Sequence, residues 1–152
     1  MWEPLQRYRA LDEESRRLFR RAAVLLPWIR ASLRFRGYSR TLSSLQQRLG
    51  THVAEPCESL EQARKINRMI HAAVRYSPLH YTCLEESLGL WYLLRKQGIV
   101  SKLRIGVRKA GGRFEAHAWV EYGGEALNQP EAAHTHYAAF EKEFSEPPAE
   151  QS

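Results

Sequence analysis

Thr82-Cys83-Leu84-Glu85-Glu86-Ser87-Leu88-Gly89-Leu90-Trp91 is the stretch on which the fold turns. Thr82 followed three residues later by Glu85 is a capping box: the hydroxyl accepts from the amide at the third helical position, and the carboxylate accepts back from the cap amide. Leu84, Ser87, Leu88 and Trp91 then recur at helical spacing, with Leu94 or Arg95 beyond them, and Gly98 supplies a stop. Cys83 is therefore the first residue of a helix. Unpaired amides and the helix dipole favour negative charge there, which suits a thiolate. The amide of Cys83 itself is placed to stabilise an oxyanion. Tyr81, or His80, stands just before it as a further oxyanion donor, although either residue also serves as plain loop packing.

After Gly98 the period changes from helical to two. Leu103, Ile105 and Val107 alternate with Lys102, Arg104 and Arg108, the pattern of a half-buried strand. Gly111-Gly112 marks a turn. A second strand follows, with Phe114, Ala116, Ala118, Val120 and Tyr122 on one face and Glu115, His117, Trp119 and Glu121 on the other. Gly123-Gly124 is a two-residue hairpin signal, and Glu125 to Asn128 starts a third strand.

A thiol nucleophile needs a base from a different element, and His117, mid-strand, is suited to that role. Taken singly, each residue has a plainer reading: Cys83 as a small buried hydrophobe, His117 as an ordinary sheet histidine. A cysteine at a capped helix start, followed by two strands with histidine inside the second, favours catalysis by the pair. The third member is narrowed by elimination, because Asp12 is the only aspartate and lies far upstream. With a two-residue turn, Tyr122 pairs with Glu125 and Trp119 faces Asn128, so Asn128 falls on the face of His117, diagonal to it and within side-chain reach. The same register sets Leu127 beside Val120. Asn128 is the orienting candidate, Glu121 the fallback, and Trp119 is assigned to the substrate.

Upstream, residues 12–35 read as a helix broken or bent at Pro27, Ser39 to Leu49 as a second, residues 50–58 as a loop, and residues 59–75 as a helix ended by Ser77-Pro78. The division expected is a basic helical region over 1–50, a catalytic core over 51–143 and a disordered tail over 144–152. The 152 residues carry a net charge of +6, with the excess arginine concentrated in the first forty positions. That basic amphipathic stretch suits a membrane surface, nucleic acid or an acidic protein, and equally a solvated helix face. Membrane-surface contact is retained as an expectation; nucleic acid is not.

Two cysteines rule out a disulfide framework. The N-terminus lacks a secretory signal pattern, and the apolar run from Ala22 to Ile29 falls far short of the ~20 residues that span a bilayer. A cytoplasmic location with reduced thiols is expected. Cys57 has no helix start or patterned histidine near it and reads as incidental. His134 and His136 lack zinc spacing, so no metal is expected, and no phosphate loop supports ATP binding.

Thr82-Cys83-Leu84, Leu93-Leu94-Arg95-Lys96-Gln97-Gly98-Ile99, Leu103-Arg104-Ile105-Gly106-Val107 and Phe114-Glu115-Ala116-His117-Ala118-Trp119-Val120-Glu121 together resemble the lasso-peptide leader peptidases, transglutaminase-like cysteine proteases associated with microcin maturation. The likeness covers about residues 60–130. It implies an α+β fold of papain/transglutaminase type, with N-terminal helices and a Cys-bearing helix on a small antiparallel sheet. It further implies a bacterial enzyme that needs no cofactor and removes the leader from a ribosomally made precursor. Its partners would be that precursor, a separate leader-recognition protein and a lasso cyclase. Cys83 and His117 match the family's nucleophile and base, whereas Asn128 stands where the family commonly has aspartate. Two other functions share these features: an acyl transferase or transglutaminase, and a non-catalytic escort that binds the precursor.

Overall fold

The computed structural model describes residues 3–50, 57–128 and 138–139. Five helices, α1 (Glu3–Ala10), α2 (Glu13–Arg36), α3 (Tyr38–Leu49), α4 (Leu60–Tyr76) and α5 (Cys83–Lys96), precede β1 (Lys102–Ala110), β2 (Arg113–Tyr122), β3 (Glu125–Ala126) and β4 (Ala138–Ala139). The sheet is antiparallel, in the order β3-β2-β1-β4. Two glycine pairs make its hairpins. Gly111-Gly112 and Gly123-Gly124 all have positive φ, as a two-residue turn matching strand twist demands.

α2, α4 and α5 pack against one another, and α5 lies against β2. Gly89 allows the helices this approach: a Cβ there would sit 3.0 Å from Leu26 Cδ2 and 3.4 Å from Ile70 Cδ1. One apolar cluster joins Leu18, Leu26 and Ile29 of α2, Leu45 of α3, Ile66 and Ile70 of α4, Leu90 and Leu94 of α5, and Leu103 and Val120 of the sheet. The core thus runs across residue 50, where the sequence reading divides the chain. The 144–152 tail of that reading lies outside the described residues, as do its loop positions 51–56.

Of the break or bend expected at Pro27, the break does not occur: α2 is one helix through that residue. Ala22, Leu26 and Ile29 are wholly buried on one stripe, and this packing outweighs the backbone hydrogen bond that proline removes. α1, not foreseen, has no buried residue. It is held by Arg7 donating to the Tyr76 hydroxyl at 3.3 Å and by an edge-on contact of Tyr8 with Phe19.

Asp12 caps α2, accepting from the Ser15 amide (3.3 Å) and hydroxyl (2.6 Å), and Lys65 of α4 reaches both Asp12 (3.0 Å) and Glu14 (2.8 Å). The Ser15 hydroxyl and then Lys65 hold the Asp12 carboxyl well below the usual carboxylate range, and Glu14 and Asp12 raise Lys65. A lowered carboxyl stabilises the fold above its unfolded value of 3.8 and loses that contribution progressively below it, as pH falls through the lower folded value; a raised lysine loses its contribution only in strong alkali. Thermal midpoints of the parent and Asp12→Ala should therefore differ most above about pH 5 and draw together towards about pH 3. A gap that does not change over that interval would contradict the role given to Asp12.

Candidate active site

Both halves of the capping box form at the start of α5. The Thr82 hydroxyl accepts from the Glu85 amide at 3.3 Å, and Glu85 Oε2 accepts from the Thr82 amide at 2.8 Å. Cys83 follows as the first helical residue, half-buried and unbridged. Cys57 sits past the other end of the helix, its amide donating to the Gly98 carbonyl at 3.1 Å. A 14-residue helix separates the two thiols by about 20 Å, which excludes a disulfide between them.

A cation that the sequence reading grouped with the basic face serves this helix start. Arg30 of α2 donates to the His80 carbonyl and stands 3.5 Å from Glu85 Oε2, whose side chain is only 9% exposed. It fastens the 77–82 loop to the cap and offsets a carboxylate next to the thiol. Tyr81 packs against the core, with its hydroxyl accepting from Ser77 Oγ at 3.4 Å. A cleft of about 530 Å³ opens beside Thr82 and Leu84, bounded by Arg30, Leu33, Arg34 and Tyr38. Burial pushes the Tyr38 phenol up to about 12, so at neutral pH it keeps its proton and can donate.

Ser87, one turn after Cys83, is wholly buried and joins the helix to β2. Its hydroxyl donates to the Ala118 carbonyl at 3.0 Å and accepts from Asn128 Nδ2 at 2.8 Å, while Asn128 Oδ1 accepts from the Val120 amide at 2.9 Å. The register holds as read: Tyr122 pairs with Glu125, and the Leu127 amide donates to the Val120 carbonyl at 2.8 Å. β3, however, ends at Ala126, and the chain turns at Leu127 and Asn128. The Asn128 amide folds back on the edge of β2 and towards α5, and both of its described hydrogen bonds are there. The neighbouring Leu127 carbonyl accepts from Asn67 of α4 at 2.7 Å, and Arg64 Nη2 of α4 donates to both carboxylate oxygens of Glu125, at 2.9 and 3.0 Å.

His117 is half-buried, with its Nε2 enclosed. It stacks on Trp119, centroids 6.1 Å apart and planes 18° from parallel. Across the strand pair it faces Gly106, which carries no side chain. Trp119, assigned to the substrate from sequence, is 1% exposed. Its indole N–H donates to Glu121 Oε1 at 2.9 Å, and Glu121 Oε2 lies 3.3 Å from Arg104 Nε. Glu121, the fallback orienter, thus reaches the imidazole only through Trp119. Arg30, Tyr38, Ser87 and Arg104 were missed, because each takes its place from tertiary packing that no local period announces.

A cysteine-initiated helix packed on an antiparallel sheet that carries the histidine strand is the arrangement of transglutaminase-like domains. The chain belongs to the transglutaminase-like superfamily, whose model matches residues 22–142, beginning inside α2. No curated protein and no solved structure matches it. The superfamily includes cysteine proteases and acyl transferases. Among the described residues, no cluster of three or more His, Cys, Asp or Glu is placed to hold a metal ion, and no helix is long and apolar enough to cross a membrane. His134 and His136 lie outside those residues.

Asn128→Ala removes the acceptor of the Val120 amide and the donor to Ser87 together. It should lower unfolding free energy in urea by about 1–3 kcal/mol, the usual effect of stranding buried polar groups. A value indistinguishable from the parent would show that the Ser87 junction does not hold α5 to β2.

Proposed function

We propose that the protein is a cysteine peptidase that removes the leader from a ribosomally made lasso-peptide precursor, with Cys83 as nucleophile and His117 as base and acid. The observation that carries this reading is the Ser87–Ala118 hydrogen bond, since Cys83 precedes Ser87 by one turn and His117 precedes Ala118 by one residue. The end of α5 leads into β1 beside Val120, so helix and β2 run in the same direction. One turn back along the helix is about 6 Å, close to two residues back along the strand, which brings the thiol level with residues 116–117.

Cys83 Sγ gives its proton to His117 and attacks the scissile carbonyl carbon, and the resulting oxyanion faces the Cys83 amide, with Tyr81 a further donor. His117 passes that proton to the leaving amine as the C–N bond breaks, leaving a thioester. Water then gives a proton to His117 and attacks the thioester carbon, and as the C–S bond breaks His117 returns the proton to the sulfur, releasing the acid and the thiol. Enclosure of Nε2 favours Nδ1 as the nitrogen that handles the proton. Trp119 fixes the imidazole plane in this scheme, and Asn128 acts as a positioning residue through Ser87. The leader would be presented by a separate recognition protein, and the trimmed product passed to a cyclase in the cytoplasm of a bacterium. Superfamily membership equally accommodates acyl transfer, in which an amine replaces water at the thioester.

With a lasso-peptide precursor as substrate, Cys83→Ala and His117→Ala should each lower cleavage roughly ten-thousand-fold or more while melting near the parent temperature. Mass spectrometry with hydroxylamine present separates the two chemistries: a free carboxyl product identifies the peptidase, and full conversion to the hydroxamate identifies a transferase. Cleavage by Cys83→Ala at the parent rate would exclude both.

A further inference from the structure

A second groove lies towards the other end of α5 from its cap. It encloses about 510 Å³ between α2, α3 and the last turns of α5. Its floor is apolar, built around Trp28 and Tyr92, and Val24 stands 75% exposed at its side. Arg20, Arg21, Arg48 and Lys96 line it, and no carboxylate does. Arg48 lies over the Trp28 ring at 4.6 Å, and Lys96 lies 5.7 Å from the Tyr92 centroid.

We infer that this groove is a docking site for an acidic amphipathic helical segment of a peptide or protein partner. Four cations around an apolar floor complement a helix with leucine-type residues on one face and carboxylates along its flanks. A guanidinium held over an indole keeps its edge donors free and oriented for a carboxylate. A base would need open aromatic faces on which to stack, and here cations cover both rings. A bilayer surface engages protruding apolar faces, not a cleft between helices. A second copy of this chain, itself at +6, brings net repulsion.

Tyr92 and Lys96 lie about 14 and 20 Å along the α5 axis from Cys83, and helical spacing sets Tyr92 about half a turn round from it, so a chain anchored here must also pass around α5 to reach the thiol. A segment anchored here leaves the following stretch free to reach the thiol. That link to cleavage rests on the peptidase reading; the binding itself does not.

The test is fluorescence anisotropy on the full chain. The probe is a labelled helical peptide with leucine at i, i+3, i+4 and i+7 and glutamate elsewhere. The comparison arms are the same peptide with lysine for glutamate, equimolar phosphatidylserine–phosphatidylcholine vesicles, and oligouridylate. The glutamate peptide should bind the parent, and more weakly as salt rises. Affinity should fall about tenfold or more in R21E/R48E and in Val24→Glu, and hold in Arg9→Glu. Arg21→Gln, which removes only charge, should show the same loss at smaller amplitude and serves if the double variant melts early. Equal affinity across parent and groove variants, preference for the lysine peptide, or groove-dependent binding of vesicles or oligouridylate in place of the peptide would each overturn the proposal. Because the readout is binding, its failure leaves the cleavage assay untouched, and the reverse holds.

Discussion

The Ser87 hydroxyl is the junction on which the site depends. β3 pairs with only two residues of β2, so the polar edge of β2 at Ala118 and Val120 needs other partners. Buried backbone groups without partners are costly, and here a helix side chain and a turn amide supply them. The short third strand thus leaves the opening into which α5 fits. At this wholly buried position the short serine side chain both donates to the Ala118 carbonyl and accepts from Asn128.

Two further layers of contact converge on this junction. Arg30 ties α2 to Glu85 and to the loop carbonyl of His80, so the cap that begins α5 is fixed by the N-terminal helices as well as by its own sequence. On the sheet, Arg104, Glu121 and Trp119 form a chain that ends on the imidazole plane. One layer bears on the helix start at Cys83 and the other on the strand at His117.

What was legible in the sequence was local. The capping box, the paired-glycine turns and the hairpin register at Tyr122–Glu125 each follow from residues within a few positions of one another, and all are present. Harder to see were consequences of packing. The helical period around Pro27 was clear, but only the buried stripe on α4 and α5 explains why the helix continues. Extending the β3 register two residues past Ala126 set Asn128 on the histidine face, whereas the turn there sends its amide to Ser87. Trp119 looked available on a strand written as alternating, but Ala118, Trp119 and Val120 are buried on both faces.

The central claim is that Cys83 and His117 share one site. It is tested most directly with 1,3-dibromoacetone, whose three-carbon bridge alkylates a thiolate and then a nitrogen held beside it. Peptide mapping of the treated protein should recover the Cys83 and His117 peptides joined as one species, which disappears in His117→Ala. A bridge from Cys83 to His80 or His71, or alkylation at Cys83 with no bridge at all, would contradict the account.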